Sequence, residues 1–496
     1  MNPLHRTDPP GNPRNPSGPS RRQVLGLGAL GLVLAGCTGR FTPGAATEPT
    51  PEPLPVHTVD SMLAATPFLV AHRGSWDNWP EHTMTAYRES VNAGAVALEV
   101  SVSATLDGQL VCHHDLNTER TTGTKLVIKD STYAQLSEVL VDARAWLGPE
   151  SKPEKIPLLK DVLDAFASTH VIFLEDKQGT NAKALLDLMD TYPDSRSHFI
   201  WKQSAQAGQV EAATKRGYTS WGYFTAEQLE LVPALAGQFT LLGVHHSASD
   251  AELAAVVATG KPVICWEVHT RELRDRLLDL GASGLMCANL PYLAADEPLE
   301  TTDCFADGLR AAGDLPWQVG AGWDLQPALI PAEGTLLMAA KANSSYRLGS
   351  MGPVKRELYS IQFDMRWPDV LPPDNALHAG IIFGQDDDRP YRVLIPSDVG
   401  GYHLIVRPTG EMSLLLRSPG EAGGLRLSSV TTQPVKAGEW MTFKIDIAPD
   451  SIRYTRVDGA GWSGQASDRK FRGGYFGLSR NYSDDAPVEF RRVKVA

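Results

Sequence analysis

Eight short apolar runs alternate with longer, helix-patterned stretches across residues 61–300, and this alternation constrains the chain more than any other feature. The runs fall at 68–71, 95–100, 171–174, 199–201, 220–224, 239–244, 262–266 and 284–287. Between them, stretches such as 181–189 and 271–278 carry apolar residues at helical spacing. Eight strands with intervening helices in roughly 240 residues predict a closed (β/α)8 barrel, the TIM barrel. An open doubly wound sheet would place a glycine-rich dinucleotide turn after a strand, and none is there.

After about residue 315 the texture changes. Helical patterns vanish, and short alternating strands appear at 359–367, 379–383, 402–406, 440–447, 475–478 and 488–495, separated by Gly, Pro and Asp-Gly. Residues 315–496 therefore predict an all-β jelly-roll sandwich. The run from Phe471 to Leu478 and the closing strand from Phe490 make it similar to lectin/glucanase-like, concanavalin-like domains, which implies a glycan partner. Glu357, Asp364 and Asp446 alternate with apolar residues and read as solvent-facing strand positions. Asp386, Asp387 and Asp388 read as an acidic turn in preference to a Ca²⁺ site. Trp367, Tyr391, Tyr402, Trp462 and Tyr482 offer rings for sugar stacking, although the alternation assigns most of them to the core.

The 496 residues suit two domains, and 42% hydrophobic with 21% charged residues is ordinary globular composition. A net charge of -12 argues against nucleic acid as a partner. The five cysteines form no CxxC pair, and Cys112, Cys265 and Cys287 sit in apolar runs, where buried free thiols are expected. Ahead of the barrel, Arg21 and Arg22 precede a short apolar run that ends in Leu34-Ala35-Gly36-Cys37. The run is too short to span a bilayer, which takes about 20 apolar residues. Residues 1–37 thus resemble a twin-arginine signal with a bacterial lipobox, so that cleavage leaves Cys37 as the lipid-modified first residue. Residues 38–60, rich in Thr, Pro, Glu and Ala, read as an extended linker. The expected location is outside the cytoplasm, anchored to the membrane by lipid.

Catalytic residues of such a barrel gather where strands end on the C-terminal face. The strand ends supply His72-Arg73-Gly74 with Pro80-Glu81-His82-Thr83, then Glu99-Val100-Ser101 and Asp107-Gly108. Next come His113-His114-Asp115, Arg120-Thr121-Thr122 and Glu175-Asp176-Lys177. These residue types suit phosphodiester cleavage. Two histidines can divide base and acid roles, cations can neutralise phosphoryl oxygens, and carboxylates on neighbouring strands can bind a hard divalent ion. Buried Glu99 needs a cationic partner, and without a metal Arg73 or Lys177 is the natural one. Lys202, on the fourth run, reads either as a phosphate contact or as a surface lysine, while His82, His245 and His246 read as loop or rim residues.

In order and spacing these segments resemble the glycerophosphodiester phosphodiesterase family, PI-PLC-like TIM-barrel enzymes, over about residues 66–291. The resemblance implies His72 and His114 as the acid/base pair, with Arg73 and Lys177 on the substrate phosphate. It implies Glu99 and Glu175 as ligands of Ca²⁺ or Mg²⁺, with Glu81 and Asp115 in support. Four departures stand out. Ser101 replaces the Asp of the family's Glu-x-Asp, and His82 the Asn of its Pro-Glu-Asn-Thr. Ala288-Asn289 stands for Thr-Asp, and Trp266-Glu267-Val268-His269 for Trp-Thr-Val-Asn. Ser101 removes one of three metal carboxylates, and Glu267 is a candidate to restore the charge. The implied activity is hydrolysis of glycerophosphodiesters, or of glycerol-phosphate envelope polymers, to glycerol phosphate and an alcohol. The alternative is a weak or inactive barrel serving as an envelope phosphate- and glycan-binding lipoprotein.

Overall fold

The computed structural model describes residues 55–315, 326–339, 345–352, 357–389, 396–482 and 486–496. Residues 1–54, with the expected signal, Cys37 and most of the linker, lie outside the described residues. The end of the linker is ordered differently from the expected extended form. Thr58 caps a short helix, α1 (Val59–Ala64), by accepting a hydrogen bond from the Ser61 N–H.

The first half is a closed parallel barrel. Its strands are β1 (Phe68–Ala71), β2 (Ala97–Ala104), β4 (Val171–Asp176), β5 (Phe199–Ser204), β6 (Thr219–Phe224), β7 (Leu241–His245), β8 (Val263–Val268) and β9 (Gly284–Cys287). β1 pairs with both β2 and β9, which closes the ring. β2 is longer than its sequence run suggests. It continues past the barrel and folds back through Asp107-Gly108 into antiparallel β3 (Leu110–Cys112), so Glu99 and Ser101 lie inside the strand and not at its end. Helices cover the outside, including α2 (Met84–Asn92), α3 (Leu159–Phe166), α4 (Ala182–Met189), α5 (Asp250–Val257) and α6 (Arg271–Asp279).

Side chains alternate across each strand, and this parity builds the site. Phe68, Val70, Ala97, Val171, Phe173, Ile200, Trp221, Leu241, Ile264 and Met286 point inward and form one buried cluster with Val59 and Met62 of α1. Their strand neighbours, among them Ala71, Leu98, Ile172, Trp201 and Leu242, belong to the outer shell where the helices pack. One step further along the inward parity, two residues beyond Val70, Ala97, Phe173, Ile200 and Trp221, stand His72, Glu99, Glu175, Lys202 and Tyr223. The polar mouth is therefore the next layer above an apolar floor.

Among the described residues, the second half packs a seven-stranded antiparallel sheet against a six-stranded one. The first runs Ala328–Ile330, Thr335–Met338, Val488–Val495, Tyr359–Arg366, Met441–Ile447, Ser451–Arg456, Trp462–Ser467. The second runs Ser345–Arg347, Tyr475–Arg480, Ala379–Gln385, Gly401–Val406, Glu411–Arg417, Leu425–Thr431. Inward residues of both, such as Phe363, Phe443, Phe490, Ile381 and Leu404, share one core. Of the rings considered for sugar stacking, Trp367, Tyr402 and Tyr482 are buried there, Trp462 is half-buried, and Tyr391 lies outside the described residues. Asp364 is a correction. It is buried, not solvent-facing, because it accepts hydrogen bonds from Thr442 (2.8 Å) and from Arg491 (3.1 Å). Glu357 is exposed and Asp446 half-exposed, as the alternation suggests. Cys112, Cys265 and Cys287 are buried free thiols.

The acidic turn at 386–388 has a use that its sequence does not announce. Asp388 is buried, and its carboxylate accepts from the backbone N–H groups of Arg271 (2.6 Å) and Glu272 (2.9 Å), the first residues of α6. Tyr292 donates its hydroxyl to the same carboxylate at 2.8 Å. A sandwich residue thus satisfies donors that a helix N-terminus leaves open in the barrel.

Candidate active site

The turn after β1 is the most contorted stretch of the mouth. Arg73 (φ 51°), Gly74 (φ 77°) and Ser75 (φ 62°) all adopt left-handed backbone conformations. Gly74 has no substitute on two counts, since a Cβ there would also meet the Ala86 Cβ at 2.7 Å. The turn aims the Arg73 N–H at Glu99 Oε2 (3.0 Å) and brings its guanidinium within 3.6 Å of Glu81. Non-glycine residues held this way cost on the order of 1–3 kcal/mol each, so the surrounding contacts must fix the turn. Ser75 does part of this by donating to the Ala288 carbonyl (3.1 Å) and accepting from the Leu290 N–H (2.8 Å). Asn289 accepts from Asn78 at 2.9 Å, so the altered end of β9 serves as an anchor for this loop.

His72 is buried with a carboxylate on each side of its ring. Its Nδ1 lies 3.3 Å from Glu267 Oε2, and its Nε2 lies 3.9 Å from Glu99 Oε2. Glu267 therefore does reach the mouth, but beside His72 and His269 (3.6 Å). His269 is itself held by Asp77 at 2.7 Å. Burial opposes the charge on His269, yet Asp77 and Glu267 outweigh it and raise its pKa to about 10.

His114 stands on the opposite arm. Its Nδ1 bonds Asp115 Oδ1 at 2.8 Å. Arg120 links this pair to the first loop, donating to Asp115 (2.6 Å) and, through both terminal nitrogens, to Glu81 (2.7 Å each). Burial, reinforced by the nearby charges of Arg73 and Lys177, lowers the His114 pKa to about 4 despite Asp115. With Nδ1–H given to Asp115, a neutral His114 presents a bare Nε2 lone pair. The adjacent His113 is buried between the Asp115 carbonyl (3.0 Å) and Thr121 (3.1 Å), a structural position. His82 is likewise a buried loop residue and not a rim residue, bonded to Tyr87 at 2.6 Å. His245 and His246 lie at the end of β7 with ring centres 4.2 Å apart.

Sequence reasoning missed the centre of the site. Lys202 is neither on the surface nor free to hold phosphate. It is buried, and its Nζ lies 2.7 Å from Glu99 Oε1 and 2.6 Å from Glu175 Oε2. The partner of Glu99 is thus Lys202, helped by the Arg73 backbone N–H, and neither the Arg73 guanidinium nor Lys177. Ser101 donates to Glu99 Oε1 at 3.2 Å, Tyr223 donates to Glu175 Oε1 at 2.7 Å, and Lys177 approaches the same oxygen at 3.3 Å. Burial favours a neutral Glu175, but Lys202 and Lys177 prevail and bring its pKa down to about 2. Glu99 is held well below the carboxylate range mainly by Lys202, and Lys202 above the lysine range by both carboxylates, each against the effect of burial. The signal was available in the inward parity of Lys202 with Ile200.

A Ca²⁺ or Mg²⁺ ion needs several oxygen ligands at about 2.0–2.6 Å. Glu99 and Glu175 are already engaged by an ammonium, and Ser101 contributes no charge. Among the described residues no group of three or more His, Cys, Asp or Glu is arranged to hold a metal ion. The residues present do not fit a divalent cation at this position.

A barrel mouth that unites two histidines, an arginine and a lysine suits a phosphodiester-cleaving hydrolase. Residues 72–191 match the Glycerophosphoryl diester phosphodiesterase family. YhdW of Bacillus subtilis, named for the same activity, is 34% identical over 243 residues, which are 46% of this chain and 97% of that protein. A glycerophosphodiester phosphodiesterase of Bacillus altitudinis is 40% identical over 96 residues, covering 19% of this chain and 38% of its own length. The structure of an Oleispira antarctica phosphodiesterase with sn-glycerol-3-phosphate is similar at a TM-score of 0.41 and 19% identity, over 47% of this chain and 96% of that one. The chain belongs to the glycerophosphodiester phosphodiesterase family.

Proposed function

We infer that this protein hydrolyses glycerophosphodiesters to glycerol phosphate and an alcohol by acid–base chemistry divided between His114 and His72. The observation that carries this reading is the continuous polar network across the mouth. From His72 it runs through Glu99, Arg73, Glu81, Arg120 and Asp115 to His114. Arg73 and Lys177 face the mouth as cations for the phosphoryl oxygens. His114, neutral and with its Nδ1 engaged, takes the proton of the attacking hydroxyl on Nε2. His72, between two carboxylates, carries the proton that the leaving alkoxide receives.

A glycerol-phosphate envelope polymer is the finer substrate proposal. It is supported by the lipobox-like end of the signal at Cys37 and by the linked sandwich, which would place the barrel outside the cytoplasm on a lipid anchor. A glycan ligand for the sandwich would have to use surface other than Trp367, Tyr402 and Tyr482. Release of glycerol 3-phosphate from glycerophosphocholine and from a poly(glycerol phosphate) by the purified protein tests both substrates. His72→Ala and His114→Ala are each expected to reduce kcat by about 10²–10⁴. Unchanged turnover in either variant defeats the mechanism. Ligand binding without turnover in the wild type would favour the inactive binding protein.

A further inference from the structure

Lys202 comes from a strand that supplies none of the sequence-legible site residues, yet its ammonium lies between the two carboxylates at the centre of the mouth. Its chain neighbours explain why it cannot be elsewhere. Ile200 is packed in the barrel floor and Trp201 in the outer shell, so position 202 must face the axis. The Trp221 and Tyr223 rings stand 5.8 and 5.5 Å from Nζ, which walls the ammonium in and favours its charge. Register places Ser101 beside Glu175, so the hydroxyl occupies the point where a third carboxylate would complete a metal site.

We propose that Lys202 is a resident cation that replaces the divalent metal of this barrel, making the phosphodiesterase independent of added metal. This deepens the proposed hydrolytic function and rests on it. Charge balance supports the exchange. A divalent ion among three carboxylates leaves one net negative charge, and an ammonium between two carboxylates leaves the same. With Ser101 in place of a carboxylate and Lys202 in place of the ion, the net charge of the buried cluster is the same as that of the metal site, so the two residues read as one exchange. Lys202 is a positioning residue. It fixes Glu99, which receives the Arg73 N–H and flanks His72, and it fixes Glu175, beside which Lys177 stands. A metal entering here would have to displace the ammonium or share its space against like-charge repulsion.

The test uses the purified full chain. Isothermal titration with CaCl2 and with MgCl2 should give no saturable heat, and EDTA should leave kcat/KM unchanged. Lys202→Ala should lose about a hundredfold or more in kcat, with no rescue by either salt. Ser101→Asp combined with Lys202→Ala should bind Ca²⁺ or Mg²⁺ stoichiometrically and recover turnover only when the ion is present. A purely structural lysine would not yield that switch in metal dependence. Stoichiometric metal binding by the wild type, or loss of its turnover in EDTA that a divalent salt restores, overturns the proposal. If the variants fail to fold by circular dichroism, the wild-type titration and EDTA response decide alone. Should no diester be hydrolysed while the titration stays silent, the hydrolytic reading fails and the resident cation stands. Metal-dependent hydrolysis would do the opposite, sustaining the hydrolytic reading and removing the resident cation.

Discussion

His114 and Lys177 both bear on the pH range over which the mouth can work. A base must be neutral, and His114 carries a proton only below a pKa lowered to about 4. The acid limb of kcat/KM is therefore expected near pH 4, not at the ordinary histidine value of about 6.5. Activity should fall about tenfold per pH unit below it. On the alkaline side, burial brings the Lys177 pKa down from the lysine range, so phosphate binding weakens earlier than an exposed lysine would allow. A pH–rate profile of the wild type checks both limbs. In Asp115→Asn, His114 loses its anionic partner and should work less well at every pH above the acid limb. At this scale the sequence was legible wherever strand-end residues fell in familiar order, as with His72, Arg73 and His114-Asp115. Lys202 was not, because its role depends on the inward face of β5 meeting Glu99, which is 103 positions away in the chain.

Strands and helices show where local pattern suffices. Eight apolar runs marked eight barrel strands, because a strand covered on both sides reads as an uninterrupted hydrophobic stretch. What the runs could not mark was the polar continuation of β2 into its hairpin, where hydrogen bonding to β3 and not hydrophobicity extends the strand. Glycines inside the barrel are equally silent in sequence and equally consequential. A Cβ on Gly243 in β7 would collide with the Trp221 ring and meet Tyr223 Cβ at 2.7 Å. Gly243→Ala is expected to cost about 1–3 kcal/mol in urea unfolding. It should also lower kcat, since the displaced Tyr223 donates to Glu175. A substitution that destabilises without touching kcat would show that the ring and the carboxylate are not coupled.

For the molecule as a whole, the change of texture in the sequence separates an α/β half from an all-β half, as the two sheet systems do, whereas the joint between the halves was hidden. It includes an aspartate of an acidic turn reaching a helix that precedes it by more than a hundred residues. Asp388→Ala removes the acceptor shared by two backbone donors and the Tyr292 hydroxyl in a largely buried place. The expected loss is about 2–4 kcal/mol, read as a lowered midpoint for barrel unfolding in a denaturant titration followed by tryptophan fluorescence. An unchanged midpoint would mean that water replaces the carboxylate at no cost. No described helix is long and apolar enough to cross a membrane.

The Asp388 contact also bears on the order in which the chain can mature. Synthesis proceeds from the N-terminus, and domains generally fold as they emerge. The eighth barrel strand and α6 leave the ribosome well before Asp388 does, so the emerging barrel has α6 with two open donors until the sandwich turn arrives. A nascent chain arrested between the two halves should therefore hold a barrel that is looser around α6, more open to proteolysis there, and tightened only when the last third of the polypeptide docks.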